Sequence, residues 1–484
     1  MNINKRVSLL LAAFLAVSSL ASCGDTSDQG GETTPSGDTT SAEVKEEYTF
    51  SRAYDGQEIR VLNCDDIFSM HARVDTQETT GDALNDAQYN AVRKLESLMG
   101  ITWTETNVHL QNELPEMTTQ LILSGDDEYE IIYQSNSQNY YQFADQGYFY
   151  NLLDYTEAQL DKDWWLDNFN SLMTVDGKLY AGLGYSHLCC VDSIGMLYFN
   201  QDMAESLNLD LPYDLVRNGT WTIDVLGTYC KAAANLNGDD SFTWKDDGSC
   251  VWGMSAASNA GAGWLHYFGE DIITNQNGKA VLTGGSTDRF YNACEKIAST
   301  IGAKDGSIYL GHYSGDDNPG SYINCFEAQR ALFGCSEVAK ANRMRNLDFM
   351  FGALPYPKLD EKQERYYESL SFPASGVAIP VTCKDPVRSA AVGDAVNYIY
   401  YKDVWPTFSE VTLKAKNLRN DDSIEMLGII LESAAPNLAE VYNIGIGYTD
   451  ALSAKLRAGD SAVASLLASY KDAIEADLEK VNNQ

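Results

Sequence analysis

Between residues 58 and 133 the chain alternates short strand-like stretches with amphipathic stretches of helical period, and this alternation restricts the fold more than any other feature. Glu58 to Asn63 alternates apolar and polar residues as a strand does. Leu84, Ala87, Ala91, Val92, Leu95 and Leu98 then recur at helical spacing, between the capping residue Asp82 and the stop Gly100. Ile101 to Thr106 alternates again, Glu116 to Ser124 is helical with Gly125 as its stop, and Glu130 to Tyr133 is an apolar strand. Strands separated by helices of this length imply a parallel sheet with right-handed crossovers. In open sheets of this kind ligands sit beyond the carboxyl ends of the strands, here near Asn63 to Asp66 and Gln134 to Tyr140.

A second α/β region begins at Met196 to Asn200, continues through a helix from about Thr222 to Asn235, and runs to Leu354-Pro355-Tyr356-Pro357. Ser375 to Pro380 follows, then helical stretches over Val387 to Tyr401, Ser423 to Ser433 and Ser461 to Val481. In the last, Val463, Leu466, Leu467, Tyr470, Ile474 and Val481 share one face, which predicts core packing. A body of roughly 435 residues is too long for one simple core and predicts two lobes. No internal repeat is evident, which argues against solenoids and propellers.

The N-terminus reads as an export signal. Lys5 and Arg6 supply its positive region and Val7 to Val17 an apolar stretch too short to span a bilayer. Leu20-Ala21-Ser22-Cys23 resembles the bacterial lipobox, which makes Cys23 the expected lipidated residue and 1–22 the signal removed. From Gly24 to about Glu47 almost nothing is apolar, so 23–48 is expected to be a flexible tether reaching roughly 25 to 30 Å. The formal net charge of -35 repels nucleic acid and anionic lipid and disfavours an anionic ligand. Besides Cys23 there are nine cysteines, an odd number without regular spacing; they read as small buried hydrophobes rather than a disulfide framework.

The order of several landmarks resembles the family 1 extracellular solute-binding proteins, the sugar-binding subunits of ABC importers. Leu123-Ser124-Gly125-Asp126 is similar to that family's turn before its third strand. Asp176 to Gly182 is similar to its loop before the first lobe crossing, and Leu197 to Asp202 to the strand after it. Thr220-Trp221-Thr222 resembles a helix start of the family without its proline, and Phe326 to Phe333 a stretch in which Gln329-Arg330 replaces Gly-Lys. Gly376 to Pro380 resembles the second crossing. Leu413 to Lys416, with Arg419 to Ser423, Met426 and Leu427, is similar to a clostridial subgroup.

The resemblance implies a two-lobed periplasmic-binding-protein-like α/β fold of type II, its lobes discontinuous and joined by hinge strands: 49–190 plus 376–435, and 191–375 plus 436–484. It implies a lipid-anchored monomer on the extracellular face of the cytoplasmic membrane of a Gram-positive cell. Such a protein captures a small solute, a mono- or oligosaccharide, and delivers it to ABC permease subunits without being an enzyme. By position, the expected ligand contacts are Asn136, Ser137, Tyr185, Asp192, Ser193, Trp221, Trp264, Tyr267, Glu337 and Tyr442. Hydroxyl groups of a sugar want paired donors and acceptors, and its apolar faces want flat rings.

No cofactor is required. Asn235, Asn237, Asp239, Ser241 and Asp246 place oxygen side chains much as a calcium loop does, although Asp240 stands where glycine is usual; a structural calcium is one reading and an acidic turn the other. The five histidines are never spaced as paired ligands, which argues against a zinc or manganese receptor. The alternative from another class is a surface glycoside hydrolase, since paired carboxylates are all its chemistry needs and 69 acidic residues are present.

Overall fold

A computed structural model describes residues 48–50, 54–312, 320–418 and 420–483. The export signal, Cys23, the tether up to residue 47 and Arg419 lie outside the described residues. The chain opens with β1 (Gln57–Cys64), α1 (Ala83–Met99), β2 (Ile101–Val108), α2 (Glu113–Ser124) and β3 (Ile131–Ser135). Asp82 caps α1 by accepting from the backbone N–H groups of Leu84 and Asn85. Gly100 ends it at φ 64°, a left-handed turn that favours glycine. β1 lies parallel to both β2 and β3.

A second set of elements follows: β4 (Gly195–Asn200), α3 (Ile223–Ala233), β5 (Trp252–Ala257), the hairpin β6 (Ile273–Gln276) and β7 (Lys279–Leu282), and α4 (Asp288–Thr300). It continues through β8 (Ile308–Gly311), α5 (Tyr322–Glu327), β9 (Ala331–Glu337) and β10 (Phe351–Leu354). Its sheet has the order β10-β4-β9-β5-β8, with β5 parallel to β8 and β9 and with β4 antiparallel to β9 and β10. α3 packs directly on β5. A Cβ on Gly253 would stand 2.3 Å from the Cys230 backbone, so this approach needs glycine.

The chain then returns. β11 (Ser375–Ala378) pairs antiparallel with β3 and completes a first sheet of order β11-β3-β1-β2, and α6 (Pro386–Ile399) packs on α1. α7 (Asp421–Ser433) follows, a helix that the sequence reading grouped with the first lobe. It packs on β10 of the second sheet: Ala353 N–H donates to Ser423 Oγ at 3.1 Å, and Arg217 reaches Asp422 and Glu425. α8 (Ile446–Arg457) packs on α4, and α9 (Ala464–Val481) on α8 and β7. The expected core stripe of α9 is closed only at Val463, Ile474 and Val481; Leu466, Leu467 and Tyr470 are half-buried.

The two bodies join where chain segments lie side by side. Ile194 bridges Leu370, and Glu368 bridges Ala434. Gly195 N–H donates to the Ser369 carbonyl and Ser371 N–H to the Ser193 carbonyl, both at 2.9 Å. Glu368 N–H donates to Ser433 and its carbonyl accepts from Ala435, again at 2.9 Å. All nine cysteines among the described residues are free and buried, and burial pushes the thiols of Cys64 and Cys190 up to about 12.

Candidate ligand-binding cavity

Beyond the carboxyl ends of β5 and β9 lies a cavity of about 530 Å³. Its floor is the junction between the bodies, with Ser193, Ser369 and Ser371; one wall is the segment after β5 with the helical turn Trp264–Tyr267. Ser336 and Glu337, at the end of β9, form a second wall, and Asn437, Glu440 and the α8 residues Thr449, Asp450 and Ser453 a third.

An aromatic stack gives the cavity its flat element. The Tyr267 ring lies on that of Tyr356 with centroids 3.9 Å apart and 5° between planes, and Trp264 meets both edge-on at 5.6 and 5.4 Å. Burial pushes both phenol pKa values upward, so the hydroxyls stay protonated; that of Tyr267 lies 3.2 Å from Ser369 Oγ.

Behind the stack, His266 Nδ1 lies 2.9 Å from Asp271 Oδ1 and Nε2 3.3 Å from the Glu368 carbonyl. Burial disfavours the charged imidazole, but Asp271 outweighs it and raises the pKa. The Glu368 side chain is wholly buried, outside the cavity lining. Its Oε1 accepts from Tyr356 N–H at 2.7 Å and its Oε2 has no partner. Burial pushes this carboxyl well above the usual range. The cavity thus offers a ring face, hydroxyls and carboxylates at its walls, and one guanidinium, Arg457, which donates to the Asn259 and Ala260 carbonyls.

Of the expected ligand contacts, Ser193, Trp264, Tyr267 and Glu337 line this cavity. Asp192 sits beside it, but its Oδ2 is taken by a loop of the first body: His71 N–H donates to it at 2.7 Å and His71 Nδ1 lies equally close. Asn136 and Ser137 follow β3 as expected, outside the cavity lining. Asn136 N–H donates to the Ala374 carbonyl and Ser137 N–H to Ser135 Oγ. Tyr185 packs against Tyr401 and Trp405.

Trp221 and Tyr442, expected as ligand contacts, lie outside the cavity lining with both rings fully buried. The Trp221 indole donates to the Pro355 carbonyl at 3.0 Å and its ring packs on Phe333; the Tyr442 hydroxyl donates to the Met173 carbonyl.

In the calcium-like loop the oxygens bind the chain itself. Asp239 Oδ2 accepts from Ser249 and Cys250 N–H at 2.8 and 2.7 Å, and Asn235 Oδ1 accepts from Asn237 N–H. Ser241 Oγ donates to Thr243, and Asp246 accepts from the Trp244 indole. Among the described residues no group of three or more His, Cys, Asp or Glu side chains is placed to hold a metal ion.

Tyr356, Ser369 and Ser371 were not anticipated. The prolines on either side of Tyr356 signalled a stiff backbone there. For the serines the sequence carries no signal, because their place depends on distant segments meeting.

No protein-family model matches the sequence, and no curated protein does. Solved structures do match in fold. The ABC substrate-binding protein Lmo0181 from Listeria monocytogenes, in complex with cycloalternan, aligns with TM-score 0.54 at 14% identity over 88% of this chain and 98% of its own. A cyclo/maltodextrin-binding protein complexed with maltotetraose aligns with TM-score 0.56 at 13% identity over 91% and 100%. The GacH receptor of Streptomyces glaucescens aligns with TM-score 0.54 at 13% identity over 87% and 99%. The chain therefore has the two-lobed α/β fold of the periplasmic-binding-protein-like type, with discontinuous lobes. Among the described residues no helix is long and apolar enough to cross a membrane.

Proposed function

We propose that this protein is an extracellular solute-binding lipoprotein of the family 1 type, clostridial-like in sequence. In this reading it captures a mono- or oligosaccharide in the cavity beyond β5 and β9 and delivers it unchanged to an ABC permease. The observation that carries the reading is the cavity itself: it opens at the junction of two lobes, holds the Trp264, Tyr267 and Tyr356 rings beside hydroxyls and carboxylates, and belongs to a fold whose solved examples include sugar-bound proteins. Lipidation at Cys23 and the tether fit a receptor that must meet both outside solutes and a membrane partner. The lobes meet near Ser193 and Leu370, with α7 on the second lobe, and the ligand favours their closed arrangement.

Calorimetric titration of the purified protein against mono- and oligosaccharides tests the proposal. Saturable binding with the ligand recovered intact is expected. Silence toward every sugar removes the carbohydrate assignment, and turnover abolished by substituting Glu337, Glu440 or Asp450 would make the protein a hydrolase.

A further inference from the structure

We infer that the junction between the lobes is itself part of the binding surface, with the Ser193 and Ser371 hydroxyls hydrogen-bonding a hydroxyl of a ligand that carries no negative charge. The inference rests on the capture reading above and assigns it a contact pair and a ligand charge.

Among the described residues the hydroxyls of Ser193, Ser371, Thr382 and Tyr448 are shielded without a partner, and of these four only the two serines line the cavity. Among the described residues Ser193 is the one buried serine whose Oγ has no hydrogen-bond partner; Ser135, for comparison, donates to Phe372, Ser255 to Phe333 and Ser433 to Ile429. Ser371 is half-buried, yet its Oγ is shielded and also without a partner. Both residues line the cavity, and the 2.9 Å bond from Ser371 N–H to the Ser193 carbonyl holds them side by side. A buried hydroxyl left unpaired carries an uncompensated desolvation penalty, so a pair of them on one cavity floor calls for a partner entering from the cavity.

The chemistry of that partner follows from the surroundings. A serine hydroxyl donates and accepts, which matches another hydroxyl. Directly behind, Glu368 Oε2 is also unpartnered; a Cβ added to Gly195, another lining residue, would stand 3.3 Å from it. The lining sets Glu337, Glu440 and Asp450 against one guanidinium, Arg457, which disfavours an anionic ligand. Because the two serines lie on segments that must bend when the lobes move, a ligand held there ties occupancy to lobe closure.

The experiment compares full-chain wild type with Ser193→Ala, Ser371→Ala and the double variant. Each is titrated calorimetrically with maltotetraose, raffinose and cycloalternan, and its thermal midpoint is measured without ligand. Where wild type binds a probe, each single variant is expected to bind it about tenfold more weakly and the double variant about a hundredfold. Ligand-free midpoints should be unchanged or raised, since each substitution removes an unsatisfied group. Unchanged affinity in the variants overturns the inference and leaves the capture reading standing. Lowered midpoints that accompany lost affinity overturn it too, by showing a structural role. Silence of wild type toward all three probes overturns both.

Discussion

Each sheet has a parallel core flanked by antiparallel strands, yet their carboxyl ends are finished differently. At the first, polar side chains close the end with its own loop. Glu105 accepts from Val74 and Asp75 N–H, from Asn63 Nδ2 and from the Trp103 indole, while Asp66 accepts from Ala72 and Arg73 N–H. That loop is then fastened to the second body by His71, which meets Asp192, and by its Phe68 carbonyl, which accepts from Lys340 Nζ. At the second, the segments after β5 and β9 stand apart and leave the cavity, with the Ser193 and Ser371 hydroxyls unused. One topology can therefore end in a plug or in a site, and what decides is whether nearby polar groups find partners within the chain.

The widest separation of core from cavity is expected at the tryptophans. Trp221→Ala should lower unfolding free energy by about 3 to 5 kcal/mol in urea, while sugar affinity per folded molecule stays within a few-fold. A large affinity loss would return Trp221 to the site.

Next, Glu105→Ala strips the plug of its shared acceptor and should cost about 2 to 3 kcal/mol by the same measurement. A negligible change would show that the first end is held by packing instead.

Tyr267→Ala should invert the Trp221 pattern, with roughly tenfold weaker sugar binding by calorimetry, or about 1.4 kcal/mol, and a smaller loss of stability.

A smaller effect is a pH slope. Burial opposes charge on His71, but Asp192 outweighs it and the folded pKa is raised. That stabilisation is complete below the unfolded value near 6.5 and disappears as pH rises through the folded value. Stability should therefore fall from about pH 6 to pH 8, and His71→Gln should flatten the slope in part, leaving the share of His266 with Asp271. At acid pH the sign reverses: burial lowers His187 to about 3, so the unfolded chain takes up a proton that the folded one refuses.

The least effect belongs to Asp239→Asn, a slight fall in thermal midpoint equal with calcium or chelator. A difference between the two would restore a metal to that loop.

The first half of the architecture was legible because its cues are local. Asp82, Gly100 and Gly125 punctuate helices, and period alone separates β1 and β2 from α1. The placement of α7 was not legible, since its apolar face suits either sheet; Ser423 and Asp422 choose β10 only once Tyr213 and Arg217 stand opposite them. Likewise the cues at Trp221 and at Trp264 with Tyr267 looked equivalent. Trp221 is enclosed because Phe333 and Pro355 arrive from more than a hundred residues away, a fact that no local pattern carries.

Main-chain bonds across Ser193, Glu368, Ser371 and Ala435 also restrict how the halves can travel. Neighbouring strands bonded rung to rung can twist together, but slipping by one residue breaks every rung at once. Such bonds favour a turn over a slide wherever the lobes move against each other, which would make mouth width a matter of one angle. In the capture reading, a cavity geared in this way measures the girth of what it holds.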